Sequence, residues 1–238
     1  MELVVATGNP HKVEEIRAIL ADVDPSLRVL GLHEVGGPFP EPAETGATFE
    51  ENATIKARAY AAATGRVCLA DDSGLEVDAL GGRPGVISSH YSTDGRETGT
   101  DRATRDAMNT ARVLRELEGV PPEERGARFR CVVVVAVPGG VLHRAEGIFP
   151  GRIGVPPAVP RGGGGFGYDP IFLVGPDYAR TSAELSAAEK HAVSHRGAAL
   201  RALATLLRDG PGPLTRHADA DPDAGSDGGD GLDLDVDR

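Results

Sequence analysis

The 238-residue chain contains no tryptophan, and phenylalanine and tyrosine together make up only 4% of it. Its core must therefore rest on Val, Leu, Ile and Ala, and at 40% apolar there are enough residues to fill one large domain. Lysine is scarce as well: only Lys12, Lys56 and Lys190 occur, against 22 arginines. A compact ammonium fits different partners from a planar guanidinium, so these three are candidates for positions where arginine does not serve. Chance gives the same pattern, and both readings stand. Cysteine is limited to Cys68 and Cys131, each inside an apolar run. That excludes a disulfide framework and suits two buried, reduced thiols. No apolar stretch reaches about 18 residues, so no membrane-spanning helix is expected. Met1 leads directly into a strand-like segment with no charged or long apolar leader, which makes the cytoplasm the expected compartment.

A basic stripe is also lacking. The net charge is −11, and residues 217–238, with eight Asp and one Arg, supply −7 of it. The remaining −4 spread over residues 1–216 gives no footprint for nucleic acid. A polyanionic substrate would have to be met by local positive charge.

Periodicity and caps divide the chain into alternating elements. Residues 3–7 read as a short buried strand, and Pro10 opens a helix running to about Leu20. Residues 27–30 suit a second strand, and the Gly/Pro/Glu-rich stretch from Gly31 to Gly46 a loop. Thr48 and Glu51 form a capping box for an Ala-rich helix ending near Gly65. Residues 66–70 return to strand, Asp71 to Gly74 read as a turn, and LEVDAL alternates as a strand. Residues 100–118 predict a long helix. Residues 128–137 and 141–149 flank Pro138-Gly139-Gly140 as a β-hairpin, 150–165 read as loop and 168–174 as strand. Ser186 with Glu189 caps a short helix, and Ser194 caps a last one running to about Arg208. The expected fold is α/β, a mixed central sheet flanked by helices. It occupies residues 1–208, and the Asp/Gly/Pro-rich tail, 209–238, is expected to be disordered.

Five motifs carry potential chemistry. Thr7-Gly8-Asn9-Pro10-His11-Lys12 lies at a strand-to-helix junction, where free amides and the helix dipole favour an anion. An ordinary N-cap with a solvated lysine accounts for it equally well. Asp71-Asp72-Ser73-Gly74 follows an apolar strand. Adjacent carboxylates there repel unless a cation is near, and Mg²⁺ takes a few carboxylates together with water and phosphate. Glu44 is a plausible further ligand, and an acidic turn is the bland alternative. In Thr48–Lys56, Glu51 belongs to the capping box, while Asn52 and Lys56 share one helical face, turned either to phosphates or to water. The run Gly162-Gly163-Gly164-Gly165-Phe166-Gly167-Tyr168-Asp169 contains G-x-G-x-x-G, but a strand follows it rather than a helix, which rules out a dinucleotide fold. It suits a lip bringing backbone close to a flat ligand, with Phe166 stacking on a base and Asp169 accepting from a base edge. Finally, Glu189-Lys190 and Ser194-His195-Arg196-Gly197 gather cationic groups at a helix start, for a phosphate or a purine oxygen or merely for solvent.

In this order and spacing the motifs resemble the inosine/xanthosine triphosphate pyrophosphatases. The resemblance covers nearly all of residues 2–208. It runs through Thr-Gly-Asn-x-x-Lys at 7–12, Glu-Thr-Gly at 44–46, Thr-Phe-x-Glu-Asn-Ala-x-x-Lys-Ala at 48–57 and Ala-Asp-Asp-Ser-Gly-Leu at 70–75. Gly-Gly-x-Pro-Gly at 81–85, Gly-Phe-Gly-Tyr-Asp-Pro-Ile-Phe at 165–172 and Glu-Lys-x-x-x-Ser-His-Arg-Gly at 189–197 complete it. It implies a Mg²⁺-dependent homodimer with two lobes and the active-site cleft between them. Such an enzyme hydrolyses non-canonical purine triphosphates (ITP, dITP, XTP, dXTP) to the monophosphate and pyrophosphate. The resemblance makes Asp72 the general base and, with Glu44, a metal ligand. It gives substrate contacts to Thr7, Gly8, Asn9, Pro10, His11, Lys12, Ser73, Phe166, Gly167, Tyr168, Asp169, Lys190, His195 and Arg196. Ser89-His90 departs from the pattern, which usually carries Ala-Arg before the tyrosine. The rival readings are a pyrophosphatase for pyrimidine or modified nucleotides, a nucleotide sensor without catalysis and, against the charge balance, a nucleic-acid binder.

Overall fold

The computed structural model describes residues 2–209, and the tail expected to be disordered lies, from residue 210 on, outside the described residues. The chain runs through β1 (Glu2–Val5), α1 (Pro10–Val23), β2 (Arg28–Gly31), α2 (Phe49–Thr64) and β3 (Cys68–Val77). It continues through α3 (Arg102–Glu116), β4 (Gly126–Val137), β5 (Gly140–Ile153), β6 (Phe172–Val174), α4 (Ala187–Val193) and α5 (His195–Asp209). The strands form one mixed sheet in the order β2-β1-β3-β4-β5-β6. β1 lies parallel to β2 and β3, and every pairing from β3 to β6 is antiparallel.

Local signals set several boundaries. Thr48 accepts the Glu51 amide at 3.1 Å while Glu51 takes the amides of Thr48 and Ala47, so α2 starts on a closed capping box. Such a cap contributes about 1 kcal/mol. Gly65 ends α2 in the left-handed region at φ 67°. Ala53, Ala57 and Ala61 recur every fourth residue and are fully buried, so α2 lies close against the sheet with Val4, Cys68, Val132 and Val134. On the opposite face α1 and α5 cover Leu3, Val5, Leu69 and Val133 with Ile16, Leu20, Leu200 and Leu203. A third apolar cluster joins α3 to the far end of the sheet through Val113, Leu75, Phe129, Phe149, Ile153 and Phe172.

Three expectations are corrected. Asp71 to Gly74 are not a turn: β3 runs unbroken from Cys68 to Val77, paired residue for residue with β4. β5 extends beyond residue 149 to Ile153, because Pro150 pairs with Arg128 and Gly151 with both Ala127 and Val174. Sheet neighbours here override a Gly/Pro-rich composition. The strand expected over 168–174 is reduced to Phe172–Val174, since Asp169-Pro170-Ile171 forms a 3₁₀ turn.

Candidate active site

The continuous β3 strand decides where the two aspartates go. Successive side chains on a strand point to opposite faces. Asp71 therefore faces α1 and α5, and Asp72 faces α2. The partners differ accordingly. Asp71 accepts Lys12 Nζ at 2.9 Å and both Nε and Nη2 of Arg196 at 3.2 Å. Asp72 accepts Lys56 Nζ at 3.1 Å and Asn52 Nδ2 at 3.3 Å. The repulsion expected between neighbouring carboxylates is relieved by this separation, each carboxylate having its own cations.

The two environments also separate their acidities. Burial alone would raise Asp71, but Lys12, Arg196 and Lys56 outweigh it and hold the carboxyl well below the usual carboxylate range. At Asp72 burial wins: Lys56 pulls the value down, Glu44 and Asp71 push it up, and it stands at about 6. Such a carboxylate is ionised at neutral pH yet basic enough to take a proton.

Glu44 reaches the same centre from the loop before α2. Its Oε1 lies 3.1 Å from Lys56 Nζ, the distance that separates Lys56 from Asp72. Asn52 fastens this loop, because its Oδ1 accepts the Gly46 amide at 2.8 Å. The Asn52–Lys56 face of α2, open in the sequence to either phosphate or water, is buried against the carboxylates. Burial pulls Lys56 down, but Asp72, Asp71 and Glu44 more than restore it and leave it raised. No group of three or more His, Cys, Asp or Glu that could hold a metal ion occurs among the described residues. Asp72 and Glu44 offer carboxylate oxygens, hard donors that could hold a cation completing its shell with water and phosphate. Mg²⁺ is such a cation.

The sheet's topology opens this centre to ligand. β1 pairs with β3 only at Cys68 and Leu69 and then ends. Past that point, among the described residues, no strand pairs with this edge of β3 before the bridge from Glu76 to Pro84, and Ser88 Oγ takes the Leu75 amide at 2.9 Å, which leaves Asp71 to Ser73 as the open stretch. The loop Thr7-Gly8-Asn9 leaves β1 at this gap and enters α1, whose first turn contains Pro10, His11 and Lys12. Open α/β sheets bind ligands at such crevices beyond strand ends. Asn9 accepts the Lys12 amide at 3.4 Å, so the N-cap reading holds, while Lys12 is paired with Asp71 rather than solvated.

Beside this edge lies a cleft of about 600 Å³. Of the predicted residues, Asn9, Lys12, Ser73, Phe166, Gly167, Tyr168, Asp169, Lys190, His195 and Arg196 line it. Asp72 and Glu44 do not. They sit on the other face of β3, and the two groups meet where Ser73 and Gly74 follow Asp72 along the strand. The cleft thus adjoins the carboxylates and does not surround them.

Inside the cleft the side chains already have partners within the protein. Arg196 is 3% exposed and its guanidinium is engaged by Asp71, by Glu15 at 2.8 Å and by Ser73 at 3.3 Å. It orders the floor. His195 is held well below its ordinary pKa by burial and by the nearby charges of Arg196 and Lys190. It is a neutral imidazole stacked on Phe129 at 5.2 Å, with Nδ1 buried and without a partner among the described residues. Asp169 accepts Lys190 Nζ at 2.5 Å and the Phe166 amide at 2.8 Å through the same oxygen, so it shapes the lip from within. Tyr168 donates its hydroxyl to the Ser88 carbonyl at 2.7 Å. Phe166 remains 49% exposed, with Arg102 4.6 Å and Lys190 5.2 Å from its ring centroid. An apolar ring open to solvent beside cations is a stacking platform for a planar ligand.

The sequence reading missed Arg102, Arg105 and Asp106, which α3 brings to the cleft. Their spacing puts them on one side of a helix, and that was the available signal. Arg105 Nη1 lies 3.1 Å from His90 Nε2, so a guanidinium stands beside the Ser89-His90 segment, supplied by the helix instead of the loop.

The model of the Ham1 family matches residues 3–206. The chain belongs to the Ham1 family. Among the Ham1 relatives, the dITP/XTP pyrophosphatase of Nitratidesulfovibrio vulgaris is 52% identical over 208 residues, covering 86% of this chain and 94% of that one. The dITP/XTP pyrophosphatase of Frankia alni is 50% identical over 209 residues, covering 88% and 98%. The Ham1 fold recurs in solved structures. The HAM1 protein from Coxiella burnetii superposes with a TM-score of 0.73 at 40% identity, covering 87% of this chain and 98% of that one. The nucleoside-triphosphatase/dITP/XTP pyrophosphatase from Mycobacterium abscessus gives 0.66 at 44% identity, covering 87% and 99%.

Proposed function

We propose that this Ham1 protein hydrolyses non-canonical purine nucleoside triphosphates, dITP, ITP, XTP and dXTP, to the monophosphate and pyrophosphate. The observation that carries the reading is the junction at the open stretch of β3, Asp71 to Ser73. A stacking ring and a neutral imidazole lie in the cleft on one side, and a basic carboxylate that shares Lys56 with Glu44 lies on the other. The names of the dITP/XTP pyrophosphatases to which the chain is similar agree with it.

On this reading the base lies on Phe166, and the triphosphate passes the start of α1 towards Asp72 and Glu44. Asp72 takes a proton from a water whose oxygen bonds to the α-phosphorus. The bond from that phosphorus to the α–β bridging oxygen breaks, and pyrophosphate leaves with the electron pair. Lys12, Lys56 and the helix-start amides oppose the growing negative charge. Asp72 and Glu44 are the residues that would hold Mg²⁺. When bound, the ion neutralises phosphate charge and polarises phosphorus. Base selection falls to His195. The neutral imidazole carries one N–H, which donates to the 6-carbonyl of hypoxanthine or xanthine and faces a mismatched amino group in adenine. The enzyme acts as a cytoplasmic homodimer on a free nucleotide, not on nucleic acid. Among the described residues no helix is long and apolar enough to cross a membrane.

The test is incubation of the protein and Mg²⁺ with ITP, dITP, XTP, GTP, ATP and dTTP, followed by identification of products. Monophosphate and pyrophosphate formed selectively from ITP, dITP and XTP are expected. Orthophosphate release would place attack at the γ-phosphorus and overturn the mechanism. Bound but uncleaved nucleotide would point to a sensor.

A further inference from the structure

We infer that Asp106 of α3 is a positioning residue for base recognition: it fixes the Gly165–Gly167 lip so that the Phe166 ring stands as a rigid wall. The inference rests on the proposed function and extends the site to a helix that no sequence motif marked.

The lip has little to hold it in place by itself. Gly162, Gly165 and Gly167 all have left-handed backbone, at φ 86°, 72° and 60°, and four consecutive glycines precede Phe166. Such a segment loses more conformational entropy on ordering than any other composition. Specific bonds must therefore pin the peptide that follows Phe166, and α3 supplies them. Asp106 Oδ2 accepts the Gly167 amide at 2.9 Å, and Thr110 Oγ1 donates to the Gly167 carbonyl at 3.4 Å. Both polar ends of one residue are thus held by one helix. One turn earlier, Arg102 places its guanidinium 4.6 Å from the Phe166 ring centroid. Arg102, Asp106 and Thr110 are spaced four apart and form a single stripe along α3. Arg102 also lies 3.8 Å from Asp106, which keeps the cation close to the carboxylate.

Asp106 is a better anchor than a neutral group. A hydrogen bond to an ionised acceptor is roughly twice as strong as a neutral one. The same lip is fastened on its inner side by Asp169, which accepts the Phe166 amide at 2.8 Å. Asp106 and Asp169 thus take consecutive amides from two different elements, which fixes the backbone that carries the ring. Without Asp106 the inner tether remains, and the lip can swing about it. The carboxylates at the open stretch of β3 lie outside this unit, so the chemical step should be spared.

The experiment measures steady-state ITP hydrolysis and, in parallel, calorimetric binding of IMP for wild type, Asp106→Ala, Asp106→Asn, Phe166→Ala and the Asp106→Ala/Phe166→Ala double variant. Asp106→Ala should raise KM for ITP and Kd for IMP about tenfold, the lower end of what losing a charge-assisted hydrogen bond gives, with kcat within about twofold. Asp106→Asn, whose amide oxygen still accepts the Gly167 N–H as a neutral group of about half the strength, should recover about half of the loss on a logarithmic scale, leaving KM and Kd about threefold above wild type. In the Phe166→Ala background the Asp106→Ala change should add little, because the ring it orients is gone. A fall in kcat with unchanged KM, failure of Asn to rescue, or independent multiplication of the two single effects would each overturn the inference. The readouts separate it from the functional reading. Wild-type binding of IMP without turnover removes the pyrophosphatase assignment while the binding arm still decides Asp106. Loss of fold in Asp106→Ala leaves the decision to Asp106→Asn and to a Thr110→Val variant, which should raise KM in the same sense.

Discussion

Replacing Asp71 by Asn removes one charge while keeping the side chain's shape, at a position where three elements meet. Asp71 is 4% exposed and accepts Lys12 from α1 and two nitrogens of Arg196 from α5. Arg196 is itself 3% exposed, so the variant leaves a buried guanidinium with Glu15 as its remaining carboxylate. Breaking a buried pair by removing one partner costs about 3–5 kcal/mol. For a domain of this size that corresponds to a fall in Tm of about 6–20 °C. The pH dependence carries a sign. The folded-state pKa of Asp71 lies below its ordinary value of 3.8, so its contribution is fully present above that unfolded value and is lost as pH falls towards the folded one. The gap between wild type and Asp71→Asn should be constant near neutrality and narrow below about pH 4. Scanning calorimetry or urea titration from pH 3 to 8 measures it. A Tm within about 2 °C of wild type at pH 7, or a gap that widens in acid, would refute the reasoning.

Three further outcomes follow from the geometry. Asp72→Asn keeps the bond to Asn52 within reach but cannot take a proton, so kcat for ITP should fall at least about a hundredfold with far-UV circular dichroism unchanged; preserved turnover would remove Asp72 as the base. Phe166→Ala should cost about 1–3 kcal/mol of nucleotide binding, seen as a rise in the Kd of IMP, because the exposed ring has little else to support; unchanged binding would place the base elsewhere. Gly147→Ala brings a methyl to 2.1 Å from the His195 carbonyl oxygen and 2.4 Å from the Ala199 amide, both α5 backbone. It should lower stability by about 1–3 kcal/mol or more in a thermal melt, whereas a neutral effect would mean that α5 shifts freely on the sheet.

Much of the chain was legible because its signals are local. The capping boxes at Thr48 and Ser186 involve residues three apart, so the starts of α2 and α4 could be read from spacing alone. The Thr7–Lys12 and Gly162–Asp169 segments stood out because glycine and proline there constrain a few neighbouring residues, and the fold brings Asn9, Lys12 and Gly165 to Asp169 to the cleft. The acidic pair at 71–72 stood out, but its setting was misread: charge and Gly74 suggested a turn, while β4 pairs with every residue of β3 and cations from three helices replace solvent.

The sequence by itself determined the elements, their caps and the identity of the chemically capable side chains, since these depend on contacts within a few residues. Tertiary structure alone decided what each side chain does. It sent Asp71 to Lys12 and Arg196, and Asp72 to Lys56 and Glu44, because strand alternation places neighbours on opposite faces and each face packs against different helices. It made His195 neutral by burying it beside two cations, and it brought Asp106 to a glycine 61 residues further along the chain. Burial and long-range electrostatics exist only once the helices have closed on the sheet, and the order of residues in a chain does not display them.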